Sequence, residues 1–223
     1  MPYRRTDNVV RRLAEREQVI LDAALAAAAA GGMGAVQIAL VADRAGIAAG
    51  TVYRYFPSKA DLVAALIAAV AARELAAMRA AADAAPGPLS ALAAGIASFS
   101  VRALSQRRLV WAVIAEPVDG SIDALRLDFR QALVAEIETR IAAAMQGGNL
   151  PEQNAALAAP AIVGALLEGL IGPLAPEVAD DPAKFRAAVQ TATLLALRAL
   201  GVIDAHARGL VAQIVLPVPG AIA

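Results

Sequence analysis

The run VADRAGIAAGTVYRYFPSKADL, residues 41–62, restricts the fold of this chain more than any other feature. Segments from Val36 to Ala45 and from Ala48 to Tyr55 flank Gly46, and Pro57-Ser58 breaks the chain directly afterwards. Apolar residues spaced by three and four predict a short helix on each side of the glycine. Gly46 supplies the positive φ that a tight turn between them requires. Ala42 and Ala45 are small enough to let the two helices approach, and Ile47 fills the space between them. Ser58 is a suitable N-cap for a long helix reaching about Ala84, with Asp61 completing a capping-box-like start. Two short helices joined by a glycine-containing turn make a helix-turn-helix.

The same spacing recurs along the rest of the chain, and almost no segment alternates with a period of two. Val19, Ile20, Ala23, Ala24 and Ala27 form one face of a first helix, which Gly31-Gly32 ends. Pro86-Gly87-Pro88 is a firm break. Helices are predicted after it from about Leu89 to Gln106, Leu109 to Ala115, a Ser121-capped start to Met145, Glu152 to Ile171, and Pro182 to Gly201. The stretch GLVAQIVLPVPGAIA, broken by Pro217 and Pro219, predicts an extended tail packed on the body. The expected fold is therefore all-α, with about nine helices.

Composition removes several function classes. Hydrophobic residues make up 59% and the mean hydropathy is +0.60, so a membrane span is the first question. The longest uncharged run, between Asp22 and Asp43, is mostly alanine and is interrupted by Gly31, Gly32 and Gly34. A spanning helix wants about 20 mostly bulky apolar residues, and no segment is expected to supply them. The start MPYRR lacks the apolar core of a signal peptide. A soluble cytoplasmic protein without a membrane partner is expected. With no cysteine, thiolate chemistry and cysteine-ligated zinc drop out, and the single His206 has no obvious partner. No catalytic residue, metal site or cofactor is expected, and the chain does not read as an enzyme.

The formal net charge is zero but uneven. Residues 1–60 carry eight basic side chains (Arg4, Arg5, Arg11, Arg12, Arg16, Arg44, Arg54 and Lys59) against five acidic ones, a net +3. A basic head on an acidic body suits a polyanion-binding module attached to something else. Within that head, Ala48, Ala49 and Gly50 present little side chain, so the second short helix can lie close in a major groove. Thr51, Tyr53, Arg54 and Tyr55 supply hydroxyls and a guanidinium for phosphates and base edges. Lys59 adds a cation beside exposed helix N–H groups. Phe56 reads as core. Arg4, Arg5, Arg11 and Arg12 read as a basic arm for phosphates or a minor groove, or as a solubilising tail.

Residues 16–62 resemble the DNA-binding domain of the tetracycline-repressor (TetR) family of bacterial regulators. ILDAA at 20–24 is similar to its first helix, and VADRAGIAAGTVYRYFPSKADL to its helix-turn-helix and the start of its fourth helix. The resemblance implies a three-helix DNA-binding domain over residues 1–60. It also implies an effector-binding and dimerisation domain over 61–223, and a homodimer on a pseudo-palindromic operator in double-stranded DNA. Thr51, Tyr53, Tyr55 and Lys59 would then contact DNA. Gln37 stands where the family commonly has a capping Thr or Ser, Ala39 where a basic residue is frequent, and Ala48 where Ser is usual. Each departure weakens a cap or contact, on a scale of about 1 kcal/mol.

The resemblance also places Phe99, Trp111, Phe129 and Met145 on helices around a ligand cavity, and Met78 on the connecting helix. Each also fits as ordinary core. Among the nearby charges Glu116, Arg126, Asp128 and Arg130, Glu116 is the candidate to turn inward and select a polar group on a mainly apolar small-molecule effector. Segments 159–172 and 187–200 have few charges, and Ile162, Leu166, Leu170, Leu194 and Leu197 are the expected dimer contacts. The expected function is a ligand-responsive regulator, a repressor whose effector moves the recognition helices off the roughly 34–36 Å spacing of successive major grooves. Two other classes stay open: a helical adaptor whose helix-turn-helix no longer binds DNA, and an all-α enzyme.

Overall fold

The computed structural model describes residues 7–116, 120–178 and 181–215. Ten α-helices occur among the described residues and no strand. The N-terminal group comprises α1 (Asp7–Gly31), α2 (Ile38–Arg44) and α3 (Ala49–Tyr55). Helix α4 (Lys59–Asp83) leads into the body, formed by α5 (Pro88–Ser105), α6 (Arg107–Ile114), α7 (Asp123–Gln146), α8 (Ala155–Leu170), α9 (Pro182–Ala199) and α10 (Asp204–Gln213). Short 3-10 turns at Met33–Ala35 and Gly120–Ile122 precede α2 and α7.

Helix α4 starts where the local chemistry demands it. Ser58 Oγ accepts from Asp61 N at 3.1 Å, and the Asp61 carboxylate accepts from Ser58 N at 3.0 Å. This reciprocal cap satisfies two backbone donors that a helix start otherwise leaves without an intrahelical partner. Further along, α4 buries Leu62, Leu66, Ile67 and Met78 along one stripe. Its most extensive partner is α5, where a Cβ at Gly95 would lie 3.7 Å from Met78 O and 3.8 Å from Ala82 Cβ, so a small residue suits the contact. Helix α5 runs through the middle of the body, touching α4, α6, α7, α8, α9 and α10.

Helix α5 corrects the expectation that no segment is apolar enough to span a membrane: by length and composition it qualifies, with a mean hydropathy of 1.2 over 18 residues. Here 61% of it is buried inside the protein, as the central core helix. A helix apolar all round needs cover on every side, and α4, α7, α8 and α9 supply it.

Charged groups that enter the core arrive paired. Glu74, only 2% exposed, takes a two-point contact from Arg102, Nε to Oε2 at 2.6 Å and Nη2 to Oε1 at 2.8 Å. Arg79 and Arg140 share Glu136, at 2.8 and 2.9 Å, and Arg140 also reaches Asp83 at 2.8 Å. Burial works against the Arg140 cation, but its bonds to Asp83 and Glu136 outweigh that and hold its pKa above the usual value. These bridges tie α4 to α5 and to α7. No buried side-chain nitrogen or oxygen lacks a hydrogen bond among the described residues.

Three elements differ from expectation. Helix α10 occupies 204–213, where an extended tail was expected from Gly209 onward. Ala207 and Val211, one turn apart, are buried, while Pro217 and Pro219 come too late to interrupt the helix. Residues 216–223 lie outside the described residues. Helix α7 starts at Asp123 after the 3-10 turn, with Ile122 and not Ser121 in the N-cap position. Helix α1 begins at Asp7, so Arg11 and Arg12 are exposed residues of a helix and not part of an irregular arm.

Candidate nucleic-acid interface and effector region

The turn between α2 and α3 closes through Gly46 N donating to Asp43 O and Ile47 N to Ala42 O, both at 3.0 Å. Gly46 sits at φ 65°, and a Cβ there would meet nothing within 4 Å. Its backbone angle, not crowding, requires glycine. Helix α3 is then clamped from inside by Val52 and Phe56, both in the main hydrophobic core. Tyr55, Ala49 and Ile47 are half-buried against the same core.

The clamp settles what α3 shows to solvent. Gly50, Tyr53 and Arg54 lie on its outer face, with Tyr53 52% exposed. Thr51 and, at the first position of α4, Lys59 flank that face half-buried. The backbone N–H groups of the first turn of α4, beside Lys59, have no intrahelical partner by position. Ala48 is the N-cap of α3 and offers no capping side chain. Gln37 is the N-cap of α2, but its amide donates to Gly34 O at 2.9 Å instead of capping the helix. Arg44, in the last turn of α2, is a further exposed cation that the motif reading passed over. Arg4 and Arg5 lie outside the described residues.

Residues 20–66, which contain this whole arrangement, match the family described as bacterial regulatory proteins, tetR family. Residues 20–66 are thus a tetR-family region. Its N-terminal region is similar to the HTH-type transcriptional repressor KstR of Rhodococcus jostii, 56% identical over 54 residues, or 24% of this chain and 26% of that one. The KstR of Mycobacterium tuberculosis is 59% identical over 49 residues, 22% of each chain. The match thus spans about a quarter of the length of these curated relatives. In fold, this chain is similar to RolR in complex with its ligand resorcinol, at TM-score 0.64 and 18% identity, covering 94% of this chain and 99% of that one. It is also similar to FadR from Bacillus subtilis in complex with stearoyl-CoA, at TM-score 0.69 and 19% identity, covering 83% and 98%. At these identities the likeness is one of fold.

In the body of the chain, residues of α4, α5, α7 and α8 line a cavity of about 10 Å³. Met78 and Phe99 line it, together with Leu133, Ile137, Val163 and Leu166. Trp111, Glu116, Phe129 and Met145 are not among its lining residues. Phe129 is buried one turn before Leu133, and Met145 is half-buried against the core beyond the cavity. Trp111 is half-buried on α6. Glu116 is turned towards the N-terminal domain, accepting from Met33 N at 3.1 Å. Aromatic and Met positions single out large core residues, but cannot say which face of α7 or α8 meets the cavity.

Arg126 is another residue the sequence left unassigned. It is buried, and its guanidinium donates to Ala112 O at 2.8 Å and Val113 O at 3.1 Å, closing the C-terminal end of α6. Burial lowers its pKa below the usual guanidinium value, and the nearby charges of Asp123 and Glu116 work the other way.

Helices α8 and α9 carry an apolar groove of about 450 Å³ on the outside. Ile162, Leu166 and Leu170 line it, with Ala188, Ala192 and Leu195 from α9. Leu197 points the opposite way, fully buried in the protomer, and Leu194 is half-buried against the main core. These two are therefore inward residues. Leu195, 59% exposed, is the outward one that the low-charge reading of this helix could not pick out.

Proposed function

We propose that this chain is a ligand-responsive transcriptional repressor that binds operator DNA as a homodimer in the cytoplasm and is released by a small, mainly apolar effector. One observation carries the reading: the core clamps α3 from behind while Gly50, Tyr53 and Arg54 stand outward on a bare, low-profile face. A helix presented in this way fits a major groove, with hydroxyls and a guanidinium for base edges and phosphates. The similarity of this segment to the KstR repressors supports the same reading. Residues 1–60 act as the DNA-binding part and 61–223 as the effector and dimer part, with α4 crossing between them.

In the complex, Lys59 at the start of α4 holds a phosphate, joined by Thr51 and Tyr55, while Tyr53 and Arg54 face the groove. Arg11 and Arg12, fixed on α1, add charge along the flanking backbone, and Arg4 and Arg5 continue that basic run. Lys59→Ala is expected to weaken binding to all duplexes alike and to lower the salt slope by about 1, the signature of one lost phosphate contact. Unchanged affinity across a salt titration of this variant would remove Lys59 from the interface.

The effector site is the cavity beside Met78 and Phe99. At about 10 Å³ it has room for little more than one water-sized probe, so ligand entry requires the surrounding helices to part. Ligand binding is then selection of a more open conformer. The wall residues are apolar, and the fold neighbours RolR and FadR are known in complex with resorcinol and stearoyl-CoA, which makes phenols and acyl thioesters the first compounds to try. A true effector at 100 times its Kd raises the unfolding free energy by about 2.7 kcal/mol. It must also lower duplex affinity, because linkage is reciprocal. A compound that raises the melting temperature but leaves duplex affinity unchanged is an occupant and not an effector.

A further inference from the structure

The turn between α1 and α2 is held by a residue 83 positions away. Gly32 ends α1 at φ 74°, and directly after it Met33 N donates to Glu116 Oε2 at 3.1 Å. The carboxylate fills the space a side chain at Gly32 would need: a Cβ there would sit 2.4 Å from Oε2 and 2.7 Å from Oε1. Glycine is therefore required twice, by backbone angle and by the carboxylate packed against it. Glu116 is itself fixed at the end of α6, with its N–H donating to Trp111 O at 3.1 Å. The carbonyls one turn back, Ala112 and Val113, are gripped by Arg126 from α7. On α7, Leu133 lies seven residues after Arg126, about 10 Å along the axis at 1.5 Å per residue, and it lines the cavity together with Ile137.

We infer that Glu116, seated on the Gly32–Met33 turn and backed by Arg126, is the latch that couples the cavity to the helix-turn-helix. Widening the cavity moves α7. Arg126 carries that movement to the end of α6, and Glu116 passes it to the turn that sets where α1 gives way to α2. Helix α1 also packs along α6, so the latch fixes the register of a contact that exists in any case. Coupling between distant sites needs such a contiguous element with two arrangements, and it must be shown by a change in coupling, not by position alone.

This inference rests on the proposed function, and the test separates the two. The full-length protein is bound to a duplex enriched from a random pool, and amide hydrogen exchange is followed by mass spectrometry with and without the duplex. In the wild type, the duplex protects residues 38–55 and also slows exchange over 107–116 by about threefold or more. Glu116→Ala still binds the duplex and protects 38–55, but exchange over 107–116 no longer responds. Gly32→Ala, which displaces the carboxylate, gives the same loss, whereas Glu116→Gln keeps an acceptor oxygen for Met33 N and keeps the response. Melting curves confirm that each variant is folded, and Glu116→Gln supplies the answer on acceptor geometry should Glu116→Ala unfold. A wild-type response over 107–116 that persists in Glu116→Ala and Gly32→Ala overturns the latch. So does a wild type whose duplex protects 38–55 and leaves 107–116 untouched. Absence of protection at 38–55 in the wild type overturns the DNA-binding reading itself, and the latch with it.

Discussion

Arg102→Ala lowers the unfolding free energy by about 3–5 kcal/mol, the range for breaking one side of a buried ion pair. Arg102 meets Glu74 through two nitrogens, at 2.6 and 2.8 Å, and Glu74 is 2% exposed. Truncation leaves that carboxylate inside the protein beside Arg73, at a looser 3.3 Å and on a more exposed side chain. Arg73 moderates the loss, which places the expected value towards the lower end. The double variant Glu74→Leu with Arg102→Met recovers most of the stability, since replacing a buried pair by apolar residues is often neutral or better. Urea unfolding monitored by circular dichroism gives both numbers. A loss below about 1 kcal/mol for Arg102→Ala would mean that solvent reaches Glu74 far more easily than its burial implies.

The second large effect is at the α8–α9 groove. Leu195→Glu is expected to convert the proposed dimer to a monomer and to reduce duplex affinity by roughly 100-fold or more, because two linked recognition helices gain that order of avidity over one. Leu195 is 59% exposed in the protomer, so the change leaves the fold and its melting temperature nearly unaltered. In the dimer the new carboxylate is driven into the apolar groove between Ile162, Leu166 and Leu170, where it has no partner. Sedimentation reads the mass and fluorescence anisotropy the affinity. A variant that stays dimeric moves the interface elsewhere on the surface. One that becomes monomeric but binds the duplex at wild-type strength removes the need for a dimer.

The helix-turn-helix was legible because its signals are local. Gly46 between two short apolar segments and Ser58 with Asp61 each act within a few residues, and the structure builds the turn and the reciprocal cap from those side chains. The body was legible only as a sequence of helices. Periodicity showed that α9 is apolar on several faces, but not that Leu197 faces inward and Leu195 outward, since that depends on how α9 sits against α5 and α8. The same limit explains Glu116. The sequence marked it as a carboxylate near apolar residues, yet its partner is a backbone N–H 83 residues earlier. Arg126 was one of several charges near the apolar candidates, and only the tertiary packing turns it onto the carbonyls of α6. Helix α10 was missed for a different reason: the prolines at 217 and 219 coloured the reading of residues that precede them.

The central claim is that the exposed face of α3 reads DNA. Enrichment of a random duplex pool on the purified full-length protein, followed by a salt titration of the best sequence, tests it most directly. The expected result is a pseudo-palindromic consensus with half-sites about one helical turn apart. Also expected are log affinity falling linearly with log salt, at a slope of about −0.9 per phosphate contact, and loss of the consensus in Tyr53→Ala or Arg54→Ala. A pool that emerges with no enriched sequence, from protein shown to be folded and dimeric, would contradict it.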